Sequence, residues 1–300
     1  SPCFALCHSF GAQYGKWKSK VDVGFAYAKI SLKDIFMEYV FNKENLLRGG
    51  YFVHQFGLQS ATSSSFKITM EEPASNQAFF NSRLVGLMFL HNKGKFFGTL
   101  SLFAESEAMK QSTDKLGNEG YGMMSRLVYR PLRDPGNILH IGLSGAFESP
   151  RYSAKPEDNH RSYALKSEFP TRIARVAAQQ ADITEAKMLY KFTPEVTAAI
   201  GRLAIESQYF FVTVNREKDL PRYQASGAYA LLRGLVKGNG YVYSDGDSGI
   251  GTPAPGSMEL VLGYNYTDLS DHKARILGGR VNDWSLTRNY YPNKNMIWRV

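Results

Sequence analysis

The stretch Gly256–Asp271 reads GSMELVLGYNYTDLSD. Met258, Leu260, Leu262, Tyr264 and Tyr266 fall on one parity, and Glu259, Val261, Gly263, Asn265 and Thr267 on the other. Successive side chains of a strand point to opposite faces, so this is a strand with one apolar side and one small or polar side. Whether the apolar side meets a protein core or lipid decides the fold and the function.

The same period-two pattern recurs along the 300 residues. In ILHIGLSGAFE, Leu139, Ile141, Leu143 and Phe147 share a face with Gly145, opposite His140, Ser144 and Glu148. In SLKDIFMEYVF, Ile35, Met37, Tyr39 and Phe41 lie opposite Asp34 and Glu38. RLVGLMFLHNKGKFFGTLSLFAES reads as a hairpin turning at His91-Asn92-Lys93-Gly94. FPTRIARVAAQQADITEAKMLYKF has some helical spacing, but reads as two strands about a turn at Ala181-Asp182. ARILGGRVNDWSLTRNYYPNKNMIWRV gives two strands and the start of a third, with a tight turn over residues 291–295. Roughly 12 to 16 strands of about 8 to 12 residues result, a length that crosses a bilayer when tilted. Long polar loops such as KQSTDKLGNEG and KGNGYVYSDGDSGIGTPAPGS alternate with short turns.

Composition narrows the partners. Lys and Arg total 36 against 27 Asp and Glu, a net charge of +9. That surplus suits nucleic acid, an anionic membrane or small anions. No run of 18 apolar residues exists, which excludes a transmembrane helix and leaves a transmembrane barrel open. Two cysteines, Cys3 and Cys7, are too few for a disulfide scaffold, and with His8 they lack a fourth metal ligand. GDSG at 246–249 has the look of a serine-protease nucleophile segment, but no matching His and Asp settings accompany it, so it reads as a loop. Cofactors, metals and catalytic residues are not expected.

Aromatic residues cluster towards strand ends, as in Tyr264, Tyr266, Trp284 and Tyr290. Interfacial girdles require that placement. Periodicity alone leaves the apolar face open between lipid and a soluble β-rich core, for instance that of a carbohydrate-binding protein. A barrel enzyme would need an acid or Ser/His pair near a rim, and none has persuasive spacing.

GSMELVLGYNYTDLSD, followed by GGRVNDWSLTRNYYPNKNM, resembles the C-terminal part of the phosphate-selective porin O/P family. SLKDIFMEYVF, YFVHQFGLQSATSSS, RLVGL, ESQYFFVTVNR and GAYALLRG resemble its earlier strands and its Phe-Gly-Leu loop. The resemblance implies a sixteen-stranded, homotrimeric barrel over residues 21–300, in the outer membrane of a Gram-negative bacterium among lipid and lipopolysaccharide. It implies passive diffusion of small anionic solutes such as phosphate, and no nucleic acid. Residues 1–20 are a segment of uncertain role, and against the longer family members the chain reads as incomplete at both ends. On this reading Tyr264, Tyr266, Trp284 and Tyr290 anchor the interfaces, while Glu259, Gly263, Asn265 and Thr267 line the lumen. Arg126, Arg130, Lys187, Lys191 and Arg202, on lumen parity, are the expected anion-binding residues. Ser60, Ser63, Ser64 and Ser65 belong to the loop expected to fold inward.

Overall fold

A computed structural model describes residues 6–26, 29–61, 67–80, 83–104, 120–150, 162–169, 176–246 and 248–300. Side chains of 6–7, 26, 29–31 and 61 are outside that description. In chain order the elements are β1 (Leu6–Tyr14), β2 (Trp17–Ala26), β3 (Lys29–Val40), β4 (Asn45–Phe52), α1 (Leu58–Ala61), α2 (Ala74–Phe79), β5 (Leu84–Lys93) and β6 (Phe96–Ala104). Then come β7 (Tyr121–Asp134), β8 (Asn137–Glu148), β9 (Ser162–Glu168), β10 (Ala177–Thr184), β11 (Ala186–Ile200), β12 (Leu203–Arg216) and β13 (Tyr223–Lys237). The chain ends with β14 (Tyr243–Ser244), β15 (Gly249–Ile250), β16 (Met258–Asp271), β17 (Ile276–Asn293) and β18 (Met296–Arg299).

Fourteen of these form one antiparallel sheet in the order β1-β2-β3-β4-β5-β6-β7-β8-β11-β12-β13-β16-β17-β18. Near-sequential order with every pair antiparallel is the up-and-down wiring of a membrane barrel. The resemblance implied sixteen strands. Among the described residues the sheet has fourteen, β1 and β18 pair with β2 and β17 and not with each other, and β9–β10 and β14–β15 are separate two-stranded ribbons.

The distribution of side chains settles what the apolar face meets. Leu127 (64% exposed), Trp284 (71%) and Leu286 (73%) stand on the outer face, whereas Arg126 (0%) and Glu259 (0%) are sealed on the inner one. A soluble domain buries its leucines and exposes its charges, so this inversion places hydrocarbon outside and the polar surface within. No helix among the described residues is long and apolar enough to cross a membrane.

One end of the sheet carries tight turns, at 15–16, 94–95, 135–136 and 201–202, and the other carries the longer connections, including 53–83 and 149–161. Ring pairs mark two levels between these ends. Tyr290–Trp298 (5.9 Å), Phe96–Tyr129 (5.3 Å) and Trp17–Tyr39 (4.9 Å) lie near the tight turns. Tyr264–Trp284 (4.7 Å) lies six positions along β17 from Tyr290, about 20 Å at strand rise. That approaches the height of a lipid-facing band of about 25 Å between girdles. Tyr266 sits one step further out, with Arg280 over its ring.

Several boundaries differ from the sequence expectation. Ala181 and Asp182 lie inside β10, opposite Leu165 and Ala164, and the chain turns at Glu185, whose φ is 53°. β17 is one strand rather than two, because Gly279 at φ 92° absorbs the irregularity and a register shift opposite Asp268–Ser270 keeps the pairing. Its strand character runs through Pro292 to Asn293, leaving only 294–295 as the turn. The β5–β6 hairpin forms, but turns at 94–95. Within the N-terminal segment, β1 pairs with β2 in the main sheet.

Candidate functional site

The connection after β4 folds inward, and its contacts show that the sheet wraps around it. Gly57 N donates to Ser144 Oγ on β8 (3.1 Å), and Gln59 Nε2 donates to Glu206 on β12 (2.7 Å). Ser75 N donates to Asn265 on β16 (3.0 Å), and Arg83 pairs with Asp34 on β3 (2.6 Å). Arg299 on β18 donates to the carbonyls of Lys67 and Thr69. A segment touching β3, β8, β12, β16 and β18 lies within the curve of the sheet, not outside it.

Two further insertions fill the same space. At the long-loop end, β9–β10 packs Tyr163, Leu165, Ala181 and Ile183 against Leu189, Val212, Val214, Tyr223 and Leu269, an apolar core on the inner side. At the tight-turn end, residues 238–257 run back over the interior. Gly136 N bonds Tyr241 O (2.8 Å), Gly201 N bonds Gly136 O (2.7 Å) and Tyr241 N bonds Gly201 O (3.3 Å). This stitch requires glycine at 240: its φ is 145°, and a Cβ there would meet Gly201 O at 3.1 Å.

Between the insertions the inner face is a set of closed ion pairs. Arg126 on β7 holds Glu195 on β11 (2.7 Å), and Glu195 also meets His140 Nε2 (2.8 Å). The other His140 nitrogen meets the Tyr243 hydroxyl (2.8 Å), and Arg126 also donates to Ser248 O (3.1 Å). Arg233 holds Glu259 (2.7 Å), which accepts from Tyr241 (2.8 Å) and Tyr291 (2.7 Å). Lys191 pairs with Glu148 (2.7 Å) over the Phe56 ring. Burial pushes the Tyr241 and Tyr243 hydroxyls up, so both remain protonated donors.

His54, in the inward segment, is buried and stacks on Phe52 at 4.2 Å between centroids. Burial lowers its pKa to about 4 despite the Leu84 backbone, and nearby Arg48 lowers it further. It is therefore a neutral ring at physiological pH.

The filling is uneven. Inner side chains of β7–β16 are sealed, while several of β2–β4 keep water contact: Lys18 and Lys20 are accessible beside Asp22, Arg48 is partly buried against the buried Glu38, and Asp34 is partly buried against Arg83 of the inward connection. Direct partners across an antiparallel pair share a face, so Lys18, opposite Glu38, is an inner residue.

Against this geometry the expected site residues separate. Arg126, Arg130 and Lys191 are on the inner face, but buried in ion pairs. Lys187 is exposed on the outer side: a β-bulge between Ala186 and Met188 adds a residue and reverses its parity relative to Lys191. Arg202 is in the exposed turn at 201–202, beyond the lumen wall. Ser60 is inside, but its hydroxyl accepts from Phe56 N (2.7 Å) and donates to Gly57 O (2.8 Å), closing its own turn. Ser63, Ser64 and Ser65 lie outside the described residues, as does Cys3. Glu259, Asn265 and Thr267 are buried on the inner face. Ser248 of the GDSG loop is buried and reaches Tyr243 Oη (3.3 Å), not His140. The sequence reading missed Glu195 and Arg233. Glu195 shares the inner face with Lys191 four positions earlier, and that parity was the available signal.

The family model for phosphate-selective porin O and P matches residues 7–299. The chain belongs to that family. As a porin, it is a Gram-negative outer-membrane protein. Among solved structures it is similar to "OmpT (in-vitro folded), an outer membrane protein of Vibrio cholerae", at 8% identity and a TM-score of 0.42 over 98% of this chain and 88% of that one. No curated protein sequence matches the porin.

Proposed function

We propose that this porin passes small solutes by passive diffusion, with a preference for anions such as phosphate, along the inner face of β2–β4. The observation that carries the reading is the uneven filling: accessible Lys18 and Lys20 with partly buried Arg48 and Arg83, facing Asp22, Asp34 and Glu38. A small excess of accessible cations raises the local anion concentration, and several weak contacts in series let the ion leave again. Arg126, Arg130 and Lys191 then hold the wall together rather than touching the solute. Phosphate as the anion rests on the family's description, and a homotrimer on the resemblance.

Planar-bilayer recording with a KCl gradient tests this. The reversal potential is expected to show anion preference, and Lys18→Glu with Lys20→Glu to shift it towards cations. A wild-type protein without conductance would sink the channel, while an unmoved reversal potential in the double variant would sink the assigned path.

A further inference from the structure

Outside the barrel, a depression of about 360 Å³ crosses β7, β8, β11 and β12. Gly145 forms its floor, and Met123, Phe147, Tyr190, Phe192 and Phe211 its walls. All are of outer-face parity, since Ser125 opposes Gly145, Gly145 opposes Phe192, and Phe192 opposes Phe211 across successive strands. An added Cβ at Gly145 would meet nothing within 4 Å, so the gap belongs to the wall and not to tight packing.

Polarity along this groove is ordered. One row nearer the long-loop end, Tyr190 opposes Thr213, whose Oγ1 is buried without a hydrogen-bond partner. Three residues beyond Tyr190, about 10 Å along the strand, stands Lys187, which the β-bulge has turned outward. From the strand end inward the order is cation, unused hydroxyl, then aromatic trough. An amphiphile has the same order: phosphate, ester or amide linkage, then acyl chain.

We propose that this groove binds one acyl chain of lipopolysaccharide, with a lipid A phosphate on Lys187 and a linkage carbonyl accepting from Thr213. The choice of lipid rests on the outer-membrane reading. In such barrels long loops face outwards, so the groove opens to the external leaflet, where lipopolysaccharide is the phosphate-bearing acyl lipid. A trough lined by rings suits a flexible chain, and the cation at its mouth suits the phosphate.

The test is native mass spectrometry of the purified full chain in detergent, titrated with lipid A and, separately, with phosphatidylethanolamine. Lys187→Gln and Gly145→Leu alter only the outer face. Lys187→Gln is expected to weaken lipid A retention about ten-fold, the scale of one lost charge-assisted contact, and Gly145→Leu to weaken it at least as much by filling the trough. Unchanged retention in both variants overturns the proposal. Equal binding of the two lipids in wild type overturns it in favour of a phospholipid groove. Loss of oligomer in Gly145→Leu with lipid retained overturns it in favour of a second copy of this chain. Conductance of the same samples is read separately, so a failed channel and a failed lipid site are distinguishable.

Discussion

Arg126 has no exposed surface, yet it faces the interior of a barrel whose neighbours include Glu195, Gln55 and Ser248. A buried guanidinium is tolerated here because its donors are distributed over one carboxylate and two neutral oxygens. Removing one partner strands the other. Arg126→Leu is expected to destabilise the barrel by about 3–5 kcal/mol in denaturant unfolding from vesicles. Arg126→Leu with Glu195→Leu should cost less than Arg126→Leu alone, and a double variant as unstable as the single one would contradict the account. His54 makes a second residue-level prediction. Its folded-state pKa of about 4 lies below the ordinary 6.5. Protons therefore bind the unfolded state first as pH falls. The His54 contribution is complete above pH 6.5 and is lost down to about pH 4, a change of about 3 kcal/mol. His54→Phe should flatten that part of the pH–stability curve, and an unaltered slope would count against the assignment.

At the scale of elements, the insertions govern how much of the barrel is open. Within residues 238–257, Tyr241 is held to the two tight turns by backbone bonds through Gly136 and Gly201, beside Gly240, whose φ of 145° and close approach to Gly201 O exclude a side chain. Asp245 adds ion pairs to Arg130 (3.2 Å) and Arg133 (2.8 Å). Gly240→Val should loosen this end and raise single-channel conductance while leaving the strands folded. Conductance equal to wild type would show that the segment does not restrict flow. The bulge at Ala186–Met188 shows why site prediction from strand parity failed locally. Parity counts residues, and one extra residue on β11 exchanges the two faces on its far side. Nothing in AKMLYK announces that insertion; it shows only in the register of β11 against β12.

At the scale of the molecule, the outer face carries all three tryptophans, Trp17, Trp284 and Trp298, each exposed. In vesicles of brominated phospholipid their fluorescence should be strongly quenched relative to unbrominated vesicles. Equal fluorescence in the two would show that these rings do not face acyl chains. The unequal interior predicts, besides, that substitutions at Lys18 and Lys20 alter ion preference while substitutions at the sealed pairs alter stability.

Alternation of apolar and polar residues over GSMELVLGYNYTDLSD reflects the fixed geometry of an extended backbone, so the two faces of most strands were legible from sequence. The resemblance supplied the direction, lipid outside. Which charges meet was not legible. Arg126 and Glu195 are 69 positions apart, and their contact depends on β7, β8 and β11 becoming neighbours once β9–β10 has folded aside. The same holds for the sealing of Arg126, Arg130 and Lys191, which only the inward segments bring about. Local covalent geometry thus determined the strands and their faces. The tertiary structure alone decided which inner cations remain in water, because burial is a property of everything packed around a side chain and not of its place in the alternation.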